Sequence, residues 1–305
     1  MLYLFAAGCD FMTALEEASR PMEKVAVVDT EDFSAALERP ESQSMFHMLE
    51  GGEDLEGMLD APFDQWRTFL HPSQRRLVER QVNGPVRVLG GAGTGKTVVL
   101  MHRAKFLAEK VFEASEDRIL VTTFTKNLAI DLEKALLIVD RFGNIGPASG
   151  PIVMRNLHAW ARAFYEQRVG QRLKVVDDDR DRLEYMTEAS AEANSDDYEA
   201  RFYLDEWDQV VQAQDVTTKE DYFRARRVGR GTRLGRKQRS EVWVVLARYR
   251  ELLQAENLLE WQDVVREARL YLETGKVTLP YRAVLADEVQ DFSPAELRLL
   301  RAMVP

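Results

Sequence analysis

Eight residues, Gly90-Gly91-Ala92-Gly93-Thr94-Gly95-Lys96-Thr97, constrain this chain more than any other stretch. They fit the pattern G-x4-G-K-[ST], follow the apolar run Val86 to Leu89 and precede a helical run from Val98. Strand, glycine loop and helix in that order build a cradle for nucleotide phosphates. Glycines let the backbone aim successive N–H groups at phosphate oxygens, and the helix adds its positive N-terminal end. In such a cradle Lys96 reaches the β and γ phosphates and Thr97 ligands Mg²⁺. The candidate ATP-binding residues are therefore Gly90, Gly91, Ala92, Gly93, Thr94, Gly95, Lys96 and Thr97.

Apolar strands and amphipathic helices alternate around this loop. The pattern predicts a strand over Val86–Leu89, a helix over Thr97–Lys110, a strand over Ile119–Thr122 and a helix over about Asn127–Val139. A further strand, Ala283–Ala286, follows a mostly helical interval from about 157 to 274. Such alternation predicts an α/β fold with a parallel sheet, here interrupted by a helical insertion. The core would comprise 67–156 and 275–305. Arg103 and the other charges of the helix after the loop read as its solvated face, and Trp160 and Trp261 as packing residues.

Charge separates the first 66 residues from the rest. They carry a balance of −12, whereas residues 67–305 carry +2 within a chain total of −10. The overall acidity therefore does not argue against a nucleic-acid partner, and residues 1–66 read as a separate acidic segment with no assigned role. A length of 305 residues with 45% hydrophobic content suits about two domains. No apolar run reaches the roughly 18 to 20 residues that cross a bilayer. The opening Met1 to Cys9 ends in Ala-Ala-Gly-Cys, but no basic residue precedes it and it is shorter than a secretory signal core. The single cysteine cannot form an internal disulfide, and four histidines argue against a Cys/His zinc site. The expectation is a cytoplasmic protein that does not engage membranes.

Asp287-Glu288 follows the apolar strand Ala283–Ala286 and supplies what the glycine loop lacks. Asp287 can hold Mg²⁺ directly or through its water, while Glu288 polarises the attacking water. Lys96, Asp287 and Glu288 are the candidate catalytic residues, with Thr97 and Asp287 at the metal. A second charged feature is the stretch from Arg224 to Arg239. It contains eight Lys or Arg and no acidic residue, with Gly229, Gly231 and Gly235 interspersed. It reads either as a solvated basic loop or as a surface that tracks nucleic-acid phosphates, with Arg226, Arg227 and Arg230 as candidate contacts.

The glycine loop, the segment Thr122-Thr123-Phe124-Thr125-Lys126-Asn127 and the run Asp287-Glu288-Val289-Gln290-Asp291 together resemble the UvrD/Rep group of superfamily 1 DNA helicases. Leu70-His71-Pro72-Ser73-Gln74-Arg75 is similar to the family's adenine-recognising glutamine motif. Asn156-Leu157-His158-Ala159-Trp160-Ala161 is similar to a motif that touches single-stranded DNA. Leu259 to Val265 resembles, more loosely, the family's D-F-D-D-L-L pattern. The order and spacing agree over about residues 69–303.

This resemblance implies a RecA-like P-loop NTPase domain with a helical subdomain inserted, an ATPase driven by single-stranded DNA and translocation from 3′ to 5′. It implies ATP and Mg²⁺ as cofactors, and single-stranded DNA or a single-strand/double-strand junction as partner. It also implies an adenine contact at Gln74, coupling through Gln290, and DNA contacts at Thr123, Phe124, Thr125 and His158. For His158 a satisfied core histidine stays an open alternative. Family members continue with a second RecA-like domain and an arginine finger, so the 305 residues are expected to act as the front half of a helicase involved in DNA repair or recombination. Such a half would hydrolyse ATP weakly and need a second motor half or partner protein. The competing readings are a nucleotide-dependent DNA- or protein-binding switch without motor activity, and a P-loop phosphotransferase. Against the latter stand the water-activating Glu288 and a basic loop suited to a polymer.

Overall fold

The computed structural model describes residues 69–304 except Asn83, Ala92, Glu113, 140–149 and Asp196. The acidic segment 1–66 and Ala92 of the glycine loop thus lie outside the described residues.

In chain order the first elements are helices Pro72–Glu79 (α1) and Lys96–Lys110 (α2), strand Arg118–Thr123 (β1), helix Lys126–Val139 (α3), strand Ile152–Asn156 (β2) and helix Leu157–Val169 (α4). After the short strand Lys174–Val175 (β3) come helices Asp179–Glu192 (α5) and Ala200–Glu206 (α6), a π-helical turn Trp207–Gln212, and helices Lys219–Arg224 (α7) and Arg236–Ala255 (α8). The chain then forms Leu258–Leu259 (β4), Trp261–Glu273 (α9), Tyr281–Ala286 (β5), a 3₁₀ turn Val289–Asp291 and Pro294–Ala302 (α10).

β1 explains the layer architecture. Its residues Ile119, Val121, Thr122 and Thr123 are β-branched, and every residue after Arg118 is buried. A strand covered on both faces belongs in the middle of a parallel sheet. β2 and β5 flank it, both parallel, with Ile119 opposite Ile152 on one side and Ala283 on the other. Successive side chains then point to opposite faces. Ile119 and Val121 join Leu100, Met101, Ala104 and Leu107 of α2 and Leu132 and Leu136 of α3. Leu120 joins the opposite core, built from Trp160 and Phe164 of α4, Val264, Val265 and Ala268 of α9, and Leu299 of α10.

The strand expected at Val86–Leu89 is not paired. Val86 is 60% and Leu89 69% exposed, and β5 has β1 as its sheet neighbour. Among the described residues no strand lies alongside this segment, and a strand exists only through its partners. β2, by contrast, forms at Ile152–Asn156, where no strand was expected.

The helical interval expected over about 157–274 contains two kinds of helix. α4 and α9 pack on the sheet. Between them a separate core gathers Met186, Tyr203, Leu204, Trp207, Tyr222, Val245, Leu246 and Tyr249 from α5 to α8. Glu260 joins that core to α9. Its buried carboxylate accepts hydrogen bonds from Arg182 Nε (2.7 Å), Tyr249 OH (2.9 Å), Gln212 Nε2 (2.9 Å) and Trp207 Nε1. Burial pushes the Glu260 carboxyl above the ordinary carboxylate range, although Arg182 opposes the rise. Among the described residues no helix is long and apolar enough to cross a membrane.

Candidate functional site

The glycine loop and α1 are built against each other. Gln74 accepts a hydrogen bond from His71 N (3.2 Å) and donates to the Thr94 carbonyl (2.9 Å), so its amide braces the loop. Gly95 caps α2 in the left-handed conformation, φ 78°, and a Cβ there would sit 3.1 Å from Gln74 Nε2. A Cβ on Gly90 would lie 2.6 Å from Thr94 Oγ1. The left-handed φ requires glycine at Gly95, and at Gly90 a Cβ would force Thr94 Oγ1 away from its bond to Gly91. Thr94 Oγ1 donates to the Gly91 carbonyl (2.9 Å), and Lys96 Nζ donates to Gly90 O (3.0 Å) and Gly91 O (2.7 Å). The ammonium is thereby held over the loop, where an anion would displace it from the carbonyls. Arg103 is not on a solvated face: its guanidinium donates to the Val78 carbonyl at the end of α1, and burial lowers its pKa.

The two halves of the chemistry meet across 190 residues of sequence. Thr97 Oγ1 donates to Asp287 Oδ2 at 2.8 Å. Asp287 is placed by the sheet itself, because its N–H extends the ladder to the Thr122 carbonyl (3.0 Å) beyond the end of β5. It is buried and accepts from Glu288 N (3.0 Å). A hydroxyl and a carboxylate that converge at the N-terminus of a helix form the hard-oxygen donor set that suits Mg²⁺. Glu288 adopts φ 48°, which costs a non-glycine residue on the order of 1–2 kcal/mol. The adjoining 3₁₀ turn holds it, with Asp291 N donating to the Glu288 carbonyl (2.9 Å). The Gln290 side-chain amide donates to Glu288 Oε2, placing the expected coupling residue on the expected water-activating one.

At the same end of the sheet, Phe124 is 36% exposed just beyond β1. Asn156 fixes that turn by donating through Nδ2 to the carbonyls of Thr123 (3.2 Å) and Phe124, while its Oδ1 caps α4 at Ala159 N (3.1 Å). Sequence reasoning placed Asn156 only within the motif likened to a DNA-touching one and gave it no structural role, although an asparagine before an apolar helical run is a helix-cap signal. Thr125 Oγ1 accepts from Leu128 N (3.2 Å) and caps the start of α3. Thr123 is wholly buried, and its side chain lies beneath the surface on which Phe124 is displayed. His158 stacks on Trp261 with ring centroids 5.0 Å apart and 13° between planes, and meets the edge of Phe124 at 5.9 Å. Its Nε2 lies 2.5 Å from Glu296 Oε1. Burial would raise the Glu296 carboxyl, but the His158 imidazole close to Oε1 and the hydrogen bond from Ser293 bring it below the usual carboxylate range.

The basic stretch divides. Arg227 places Nε and Nη2 on the two oxygens of Glu206 (2.6 and 2.8 Å), Arg230 adds Nε at 3.0 Å, and Tyr222 OH a fourth contact at 2.8 Å. Glu206 has no solvent exposure, and a buried carboxylate needs this many donors. Two of the three arginines expected on DNA are therefore turned inward. Arg226 remains exposed, as do Arg224, Arg233, Arg236 and Lys237. The sequence could not reveal this division, because Glu206 lies eighteen or more residues before the stretch.

The model of the UvrD/REP helicase N-terminal domain family matches residues 70–305. The chain is similar to DNA helicase IV of Escherichia coli (strain K12), at 27% identity over 268 residues that cover 77% of the chain and 38% of the relative. It is also similar to the ATP-dependent DNA helicases UvrD2 and UvrD1 of Mycobacterium tuberculosis (strain ATCC 25618 / H37Rv). UvrD2 is 26% identical, with 75% of the chain and 34% of the relative covered. UvrD1 is 24% identical, with 80% and 31% covered. The chain thus spans about a third of the length of these curated relatives.

Proposed function

Because the chain belongs to the UvrD/REP helicase family through its N-terminal domain, we propose that residues 70–305 bind ATP with Mg²⁺ and couple its hydrolysis to movement on single-stranded DNA. The observation that carries this reading is the 2.8 Å bond between Thr97 and Asp287, which joins the phosphate loop to the strand-end acids.

The division of labour follows from the geometry. Backbone N–H groups of the glycine loop and the N-terminus of α2 receive phosphate oxygens. Lys96 exchanges the carbonyls of Gly90 and Gly91 for those oxygens and neutralises charge as it develops on them. Thr97 and Asp287 would hold Mg²⁺, which when bound neutralises phosphate charge and fixes the reacting geometry. Glu288 orients the attacking water and accepts its proton, and Gln290 fixes the carboxylate that does so. Gln74 braces Thr94 and would read the adenine edge. Just beyond the end of β1, Phe124 offers a face on which a base can stack, a contact that tolerates any sequence. Movement from 3′ to 5′, a role in repair or recombination, a junction substrate and the need for a second motor half belong to the same proposal. They draw support from the family and from the length of the relatives.

The test is the ATPase rate of the chain with and without single-stranded DNA, compared with Glu288→Gln. Stimulation that disappears in Glu288→Gln supports the motor reading. Nucleotide-dependent DNA binding with no stimulated turnover would replace it with a switch that lacks motor activity.

A further inference from the structure

Glu296 occupies a position the proposed chemistry does not use. It is 1% exposed, and its two carboxylate oxygens have different tasks. Oε2 accepts from Ser293 N at 2.6 Å while Glu296 N donates to Ser293 Oγ at 3.3 Å, a capping box that fixes the first turn of α10. Oε1 faces His158 Nε2 at 2.5 Å. Ser293 comes two residues after the 3₁₀ turn that holds Glu288 and Gln290, so the start of α10 is joined to the strand-end acids by a short stretch of chain. The His158 ring is clasped between Trp261 and the edge of Phe124, and Phe292 meets Phe124 from the α10 side at 6.0 Å. His158 is only 19% exposed, and its polar edge is occupied by Glu296. Its surroundings suit a strut rather than a DNA contact.

We propose that Glu296 is a positioning residue which, through His158, ties the segment bearing Asp287 and Glu288 to the exposed ring of Phe124. A shift of that segment on nucleotide binding would move the cap, the carboxylate, the imidazole and the stacking face as one connected unit. Coupling between two sites requires such a physical connection with different contacts in the two states. The inference rests on the motor reading for the identity of the polymer at Phe124.

The experiment measures the affinity of the full chain for a single-stranded oligonucleotide with and without a non-hydrolysable ATP analogue, and so yields a linkage factor. Expected for the unaltered chain is a factor of about five or more, falling below about two in both Glu296→Gln and His158→Gln. Affinity for the analogue alone should stay unchanged in both. His158→Gln leaves the Ser293–Glu296 cap intact, so a loss in that variant does not come from fraying of α10. The double variant should be no worse than the weaker single, because both substitutions cut the same connection. A linkage factor retained in both single variants, or losses that add in the double, overturns the proposal. If the unaltered chain binds the analogue but no oligonucleotide, the motor reading falls and the proposal with it. Oligonucleotide binding with intact linkage in the variants removes the proposal alone.

Discussion

Lys96 and Glu288 adjoin the two ends of the Thr97–Asp287 bond, and if they act as proposed their variants should separate binding from turnover. Lys96→Ala removes the ammonium held over the loop. It should weaken binding of a fluorescent ATP analogue and lower turnover by about 10²-fold or more. Glu288→Gln should leave that binding near its original value while turnover falls by roughly 10²–10⁴-fold, the ordinary worth of a general base. Equal losses of binding in the two variants would show that Glu288 shapes the cradle instead of acting on water. Gly95 tests the loop itself. With φ 78° and Gln74 Nε2 3.1 Å from where a Cβ would stand, Gly95→Ala should cost on the order of 1–2 kcal/mol in urea unfolding and weaken the analogue as well. That the glycine loop and the strand-end acids converge was legible in sequence, because the type and spacing of these residues follow the pattern of a phosphate loop and an acid pair. Asn156 and Glu296 were not singled out, since their value lies in what they touch.

At the scale of elements, β1 and the segment Val86–Leu89 look alike as sequence and differ as structure. Both are short apolar runs. β1 is buried because β2 and β5 pair with it and helices cover both its faces, whereas Val86–Leu89 has no such neighbour among the described residues. Helices α2 and α3 were readable to within a residue or two from periodicity and the glycine before Lys96. The split of the helical interval into sheet-packed α4 and α9 and a separate α5–α8 core was not readable, because long-range pairing decides it. Glu206 shows how such pairing sets stability. Glu206→Ala would strand Arg227 and Arg230 in the α5–α8 region, at a cost of roughly 3–5 kcal/mol in chemical denaturation. Burial would raise this carboxyl, but hydrogen bonds from Arg227, Tyr222 and Arg230 hold it below its ordinary value of 4.5. Its stabilising contribution is therefore complete above about pH 4.5 and is lost as the pH falls through the lowered folded value. Far-ultraviolet dichroism of the acid-titrated chain should show an earlier loss of helix in Glu206→Gln.

For the whole molecule, the engagement of Arg227 and Arg230 by Glu206 has a consequence for ionic strength. Arg239 is likewise engaged, donating to the carbonyls of Tyr222, Phe223 and Ala225. Of the eight cations between Arg224 and Arg239, Arg224, Arg226, Arg233, Arg236 and Lys237 remain exposed. Each phosphate neutralised on a single strand releases counterions and contributes about −0.7 to the slope of log K against log salt. Five available cations limit the stretch to a slope of about −3.5, whereas all eight would give about −5.6. Oligonucleotide titrations across a salt series, for the chain and for a variant with those five residues replaced by glutamine, should differ in slope by no more than the smaller figure. Three of the positive charges in this stretch stay with the protein, and only the other five are exposed to displace counterions from a strand that binds there.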